Sequence, residues 1–284
     1  MEYLTDLMER IQLQPEARAV VSGIRPLIAG DALEKIRIAF FRGEDTNPEI
    51  ETLAERLGCE KYGMFLTVYL LLSETTREIY RERGIDEAIF YDTMTDIPIW
   101  VNVSFRDYGI WGLREYGWIA GQLRARLFRL GRLQFERIEY RFAQPYTRAG
   151  RTIQNGDPII NMHIPEGDSI TLDKRLDSYR RAYRFFNLEW FTCGSWLLYP
   201  AHYDFLPKNS NIRSFMDDFD IISSHEEHSP GNLWRIFNRR NDNYPPEALP
   251  RDTALRRAYA DHWAQYGTTG EGVGIFLFDG ENIV

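Results

Sequence analysis

The feature that most constrains this chain is a change of hydrophobic period near residue 125. Before it, apolar residues recur at helical spacing; after it, they alternate with polar ones as in strands, with helical stretches between. In the first part, Tyr62, Phe65, Leu66, Tyr69 and Leu70 share one stripe, while Met64, Val68, Leu71 and Leu72 fill the other faces. Such a helix is buried all round. Its polar continuation, residues 74–83, is expected to emerge into solvent and stop at Gly84. Asp31 can cap a helix through Phe41. Asn47 followed by Pro48 reads as an N-cap with proline at the first helical position, and that helix stops before Gly58.

From about Leu127 the period is that of strands. Leu133 and Phe135 share one face, whereas Ile138, Tyr140 and Phe142 fall in the opposite phase. A β-bulge near Arg137 would reconcile the two runs, as would two strands meeting at a turn. Strands are then expected at 159–164, 191–198, 219–223 and 273–278. Helices are expected at 172–186, 210–217 and 253–265. The expected fold is α+β: an all-helical domain over residues 1–125, followed by an α/β domain over residues 126–284.

With 284 residues, 44% of them hydrophobic and 14% aromatic, the chain can bury a substantial core. The formal net charge of -8 argues against a nucleic-acid partner bound through a basic surface. Cys59 and Cys193 lie far apart without metal-type spacing, which fits a reducing compartment. The segment from Met1 to Asp6 is acidic and lacks an apolar signal core. The longest apolar run, from Met64 to Leu72, is too short to span a bilayer. A cytoplasmic chain with no membrane partner is the expectation, and the oligomeric state is left open.

One junction carries the chemistry. Asn161-Met162-His163-Ile164-Pro165-Glu166-Gly167-Asp168-Ser169 reads as a strand breaking into a polar loop before a helix. A strand, a glycine-containing turn and a helix N-terminus make an anion site, because backbone N–H groups converge there and the helix dipole adds positive potential. Ile160, Met162 and Ile164 face one way in the strand, and Asn161 and His163 the other. On the helix, Leu172, Leu176, Tyr179, Tyr183 and Phe186 form an apolar stripe. Lys174, Arg175, Arg180, Arg181 and Arg184 occupy the remainder, either as a solvated face or as partners for phosphate. Glu166 and Asp168 oppose an anion at the loop itself.

His163-Ile164-Pro165-Glu166-Gly167, Leu176-Asp177-Ser178-Tyr179-Arg180-Arg181-Ala182-Tyr183-Arg184-Phe185-Phe186, Ser195-Trp196-Leu197-Leu198 and Leu206-Pro207-Lys208-Asn209-Ser210-Asn211-Ile212 resemble the GNAT-like C-terminal domain of a group of bacterial N-acyltransferases. In that group a helical domain precedes the GNAT-like one, and the resemblance covers nearly the whole chain. It implies a mixed, mostly antiparallel sheet whose fourth and fifth strands splay apart around the pantetheine arm of an acyl-CoA. Here those strands would be 159–164, ending at Ile164, and 191–198. The pyrophosphate would meet the loop 165–171, with N–H groups from Gly167, Ser169 and Ile170 and with Lys174 nearby. The co-substrate implied is acetyl-CoA or another acyl-CoA, and the acceptor a small-molecule amine or a peptide amine.

Acyl transfer to an amine needs a base to take the ammonium proton. His163 is the first candidate, since histidine titrates near neutrality and this strand should line the cleft. Glu166 is the second, acting directly or through water. In the family a tyrosine on the helix after the fifth strand usually protonates the leaving thiolate. Residues 210–217 offer only Ser210 and Ser214, with Tyr199 and Tyr203 upstream. Cys193 can be imagined as a nucleophile, but a strand cysteine is ordinarily a small buried hydrophobe. His202-Tyr203-Asp204 with His262 has the spacing of a facial-triad iron site, although His262 shares a helical stripe with Leu255, Tyr259, Trp263 and Tyr266. His225-Glu226-Glu227-His228 reads as a polar turn, and no metal is expected. The alternatives to an acyltransferase are a catalytically inactive GNAT-like module that binds a ligand or a protein, and a non-haem iron oxygenase.

Overall fold

The computed structural model describes residues 2–238 and 244–284; residues 1 and 239–243 lie outside the described residues. The chain divides into two compact units, Met1–Arg129 and Leu130–Val284. The first is helical: α1 (Glu2–Arg10), α2 (Pro15–Ile24), α3 (Gly30–Phe41), α4 (Asn47–Leu57), α5 (Lys61–Glu82), α6 (Glu87–Met94), α7 (Asp96–Tyr108) and α8 (Tyr116–Leu123). Two starts differ from expectation. Ala29 precedes α3, leaving Asp31 in the first turn, where its charge suits the helix dipole. Thr46 precedes α4, and the N–H of Asn47 is held by the Asp45 carboxylate at 3.1 Å. Gly58 ends α4 with φ +63°, a left-handed cap that glycine adopts without strain.

Helix α5 is the centre of this unit. Met64, Phe65, Leu66, Val68, Tyr69 and Leu70 are buried on every side. Beyond this stretch, Glu74, Glu78, Arg81 and Glu82 emerge into solvent as expected, while one face stays buried through Ser73, Thr76 and Tyr80. On that face Ser73 donates to Leu70 O and Thr76 to Leu123 O, each at 2.6 Å, which satisfies both hydroxyls inside.

The second unit holds β1 (Leu127–Leu130), in which the division falls, β2 (Leu133–Glu139), β3 (Tyr146–Arg148), β4 (Arg151–Ile153), β5 (Pro158–His163), α9 (Leu172–Phe186) and β6 (Trp190–Ser195). After these come α10 (His202–Phe205), α11 (Asn211–Met216), β7 (Asp220–Glu227), α12 (Leu233–Phe237), α13 (Ala254–Tyr266) and β8 (Thr269–Leu277). A six-stranded sheet runs β1-β2-β5-β6-β8-β7, and β3 and β4 form a separate hairpin. Strands β5 and β6, joined through α9, pair in parallel; β2 with β5, β6 with β8 and β7 with β8 are antiparallel.

No bulge interrupts β2, which pairs in unbroken register with β5 from Gln134↔His163 to Glu139↔Pro158. The phase change near Arg137 has another cause: both faces of the sheet are packed, at different places. On the α9 face Phe135, Phe191, Phe276 and Tyr179 interlock, with the Phe191 and Phe276 rings stacked at 4.9 Å. On the opposite face Tyr140, Ile153, Ile159, Trp190, Ile275 and Leu277 form a second core. The β3–β4 hairpin covers it, held by hydrogen bonds from Tyr146 and Arg148 to the Asp220 carboxylate.

Strand β6 stops three residues before the expected end, at Ser195. The Ser195 hydroxyl accepts from Leu197 N–H at 3.2 Å and starts a short 3-10 turn over Trp196–Leu198. Strand β7 runs further than expected, so His225, Glu226 and Glu227 belong to an edge strand rather than a turn. Polar, solvent-facing residues suit a sheet edge. Among the described residues, no helix is long and apolar enough to cross a membrane.

Candidate active site

Strands β5 and β6 pair at two positions only, Ile160↔Phe191 and Asn161↔Thr192, and are unpaired beyond them. The unpaired ends leave the two strands free to splay. Two residues past the last pair lie His163 on β5 and Gly194 on β6. Because side chains alternate, both belong to the face opposite α9, as do Glu136 of β2 and Asn161 of β5.

On that face three side chains meet. His163 Nε2 lies 2.9 Å from Glu136 Oε1, and Asn161 Nδ2 donates to the same oxygen at 3.0 Å. The hydrogen bond from His163 holds the Glu136 carboxyl below its ordinary range; partial burial opposes this and Asn161 assists it. His163 Nε2 also lies 3.1 Å from Asn161 Nδ2, so the three side chains form one hydrogen-bonded cluster that orients the ring. The His163 and Glu136 side chains are 24% and 31% exposed, so the pair is screened yet open to a ligand. Glu136 is the residue that sequence reasoning missed. Its signal is the alternation of Gln134-Phe135-Glu136, but only the register across to β5 reveals its partner.

The loop after β5 keeps Glu166, Gly167, Asp168 and Ser169 exposed, with Ile164 and Ile170 half-buried. Gly167 has φ +142°, where a side chain is strained. Arg132 Nε donates to Asp168 O at 2.7 Å and anchors the loop. Thr171 precedes α9 without a capping side-chain bond, and among the described residues the amides of Gly167, Ser169 and Ile170 donate to no backbone acceptor. Those donors suit an anion. Lys174 Nζ sits 2.6 Å from Asp168 Oδ2, so its charge is already shared with the loop.

The helix face differs from expectation in two places. Arg175 is buried rather than solvated, making bonds of 2.6 and 3.1 Å to Asp218 while its Nη2 also reaches Ser214 O at 2.7 Å. Tyr179 OH donates to Asp218 Oδ2 at 3.0 Å. A guanidinium paired with a carboxylate and hydrogen-bonded through Nε and Nη2 can occupy a helix stripe that otherwise demands apolar residues. Leu172, at the first position of α9, is 50% exposed, since a first-turn side chain points back beyond the helix end.

Residues 2–125 match the N-acyltransferase N-terminal domain, and residues 127–276 match the GNAT-like C-terminal domain. The chain belongs to the N-acyltransferase group with a GNAT-like C-terminal domain. No curated protein matches it. Among solved structures, it resembles an acyltransferase mutant in complex with octanoyl-CoA: identity 23%, TM-score 0.78, covering 98% of this chain and 88% of that one. An acyltransferase in complex with decanoyl-CoA and teicoplanin matches with 23% identity and a TM-score of 0.77, over 98% and 88% of the two chains. A third, an acyltransferase with CoA and 10C-teicoplanin, has 24% identity and a TM-score of 0.74, over 97% and 87%. These likenesses establish a common fold.

Within the GNAT-like domain the other candidates fall away from the splay. Cys193 is fully buried on the α9 face, away from His163, and burial pushes its thiol up to about 12. A thiol held protonated is no nucleophile. His202 is also fully buried: Nδ1 faces Leu197 O at 3.3 Å and Nε2 the Tyr259 hydroxyl. Burial first of all lowers it to about 4. His262 is buried, stacks on Phe205 at 4.2 Å and bonds Thr268 Oγ1 at 3.2 Å. Both are core histidines, His202 with both ring nitrogens engaged and His262 stacked and bonded through Nε2, which argues against the facial-triad reading. Among the described residues no metal-type cluster of His, Cys, Asp and Glu occurs. The Tyr199 hydroxyl bonds Glu226 and that of Tyr203 donates to Asp217 at 2.8 Å; burial, then the carboxylate, pushes each up to about 12.

Proposed function

We propose that this chain transfers an acyl group from an acyl-CoA directly to a small-molecule amine, with His163 as the base. The observation that carries this reading is the His163–Glu136 pair on the open face beside the splayed strands. Glu136 fixes the ring and balances the charge that His163 gains, as a carboxylate does for a catalytic histidine. The acyl-CoA supplies an activated thioester carbonyl. The His163 ring takes one proton from the substrate ammonium, and the neutral amine attacks the thioester carbonyl to form the C–N bond. The C–S bond breaks, and the leaving thiolate takes the second proton that the nitrogen sheds as the amide forms. Glu166, exposed in the loop, is the second candidate base, acting directly or through water. The amides of Gly167, Ser169 and Ile170 face the pyrophosphate, Ile164 borders the pantetheine arm, and Lys174 shares its charge between Asp168 and the phosphates.

The relatives' complexes with acyl-CoAs and with teicoplanin support the substrate classes, a medium-chain acyl-CoA and a small-molecule acceptor. A second reading, a non-catalytic GNAT-like binding module, draws on the carboxylates of Glu166 and Asp168, which weaken the loop as a phosphate cradle. Calorimetric titration with CoA, acetyl-CoA and octanoyl-CoA, followed by thiol release in the presence of amines, separates the two. Binding with turnover that His163→Gln abolishes supports the acyltransferase. Binding without turnover for any amine supports the module, and no heat at high micromolar CoA overturns both as acyl-CoA readings.

A further inference from the structure

The sheet of the GNAT-like domain carries glycines at Gly194 of β6 and at Gly270, Gly272 and Gly274 of β8. Glycine weakens a strand, so each needs a reason. Packing supplies it on β8. A Cβ at Gly270 would lie 2.4 Å from the Tyr199 ring, one at Gly272 2.1 Å from Leu198 O, and one at Gly274 2.7 Å from Phe219. Gly194 has no such neighbour: a Cβ there would meet Val273 Cγ2 at 3.8 Å, an ordinary contact, and nothing nearer. Nor does its backbone require glycine, for it is not among the positive-φ residues. It is exposed, although the strand before it, Trp190 to Cys193, is buried throughout. Neither fold nor packing requires glycine there, and the exposed, open position leaves room for a ligand to cross the strand.

Position identifies the ligand. Gly194 lies level with His163, each two residues past the last pair of β5 and β6, and on the same face. Whatever crosses Gly194 is therefore attached close to the reacting carbon. On the His163 side the neighbours are Glu136 and Asn161, polar groups that suit the amine. On the other side the next residue across the sheet is Val273, half-buried and apolar, paired with Gly194. An alkyl chain belongs on that side, where its removal from water is favourable.

We infer that Gly194 is a specificity-determining residue: its bare backbone is the floor over which the acyl chain of the co-substrate passes toward Val273. This rests on the acyl-CoA reading above. The class of substrate it implies is a medium-chain acyl-CoA, whose chain a side chain at position 194 would block.

Titration of CoA, acetyl-CoA and octanoyl-CoA into the wild-type chain and into Gly194→Ala and Gly194→Val tests this, with thermal melts confirming that each variant is folded. The alanine contact is ordinary and valine is a good strand former, so both should fold. Octanoyl-CoA should bind about ten-fold more weakly to Gly194→Val and less so to Gly194→Ala, while CoA itself stays within about two-fold. If the wild type binds octanoyl-CoA and both variants bind it equally well, Gly194 does not border the acyl chain and the inference fails alone. If CoA is weakened as much as octanoyl-CoA, the glycine serves the pantetheine arm and the inference is again overturned. A wild type that binds none of the three removes the acyl-CoA reading and this inference with it.

Discussion

Two histidines of the GNAT-like domain, His163 and His202, have the same side chain and opposite surroundings. His163 stands on the open face, its ring partly exposed and oriented by the Glu136 carboxylate. His202 is buried, bonded to Leu197 O and the Tyr259 hydroxyl and packed against Phe205. Burial lowers His202 to about 4, so it is neutral throughout the physiological range. The difference teaches that solvent access and a carboxylate partner, not the presence of histidine, separate a proton acceptor from a core residue.

Substitutions can break that comparison. The largest effect is expected for His163→Gln, which should lower acyl transfer by roughly 10²–10⁴-fold, measured as thiol release, while leaving the denaturant midpoint close to that of the wild type. If His163→Gln instead unfolds the chain, the open-face histidine is structural after all. Arg175→Ala leaves Asp218 buried without its cation and should cost about 3–5 kcal/mol of stability by urea denaturation.

The acid response of His202 comes next. Its folded pKa lies below the unfolded value, so its contribution is fully present above about 6.5 and is lost as pH falls toward about 4. The loss over that window should be about 3 kcal/mol, and His202→Phe should flatten the stability profile there. A profile that His202→Phe leaves unchanged would place the acid sensitivity elsewhere. The smallest effect belongs to Lys174→Ala. Its exposed pair with Asp168 should contribute under about 1 kcal/mol to stability, so any larger loss in CoA affinity reports contact with the pyrophosphate.

The order of helices and strands was legible because the hydrophobic period changes with the element type, and the aromatic stripe of α9 marks the face that covers the sheet. The β3–β4 hairpin escaped because its strands are three residues each, too short for alternation to register. The phase change in β2 was visible, but its cause was not, since two cores on opposite faces look locally like one bulge. Arg175 read as solvated because charge usually implies water, and its partner Asp218 is 43 positions away. Glu136 was hidden for the same reason: its bond to His163 crosses strands, and register between strands has no local signature.

The most direct test of the account is a histidine side-chain NMR titration with octanoyl-CoA, with His163→Gln and His202→Phe used for assignment. Saturating octanoyl-CoA should shift the His163 ring resonances and leave those of His202 in place. Octanoyl-CoA that binds without moving His163 would contradict the claim that the open face beside the β5–β6 splay is the active site.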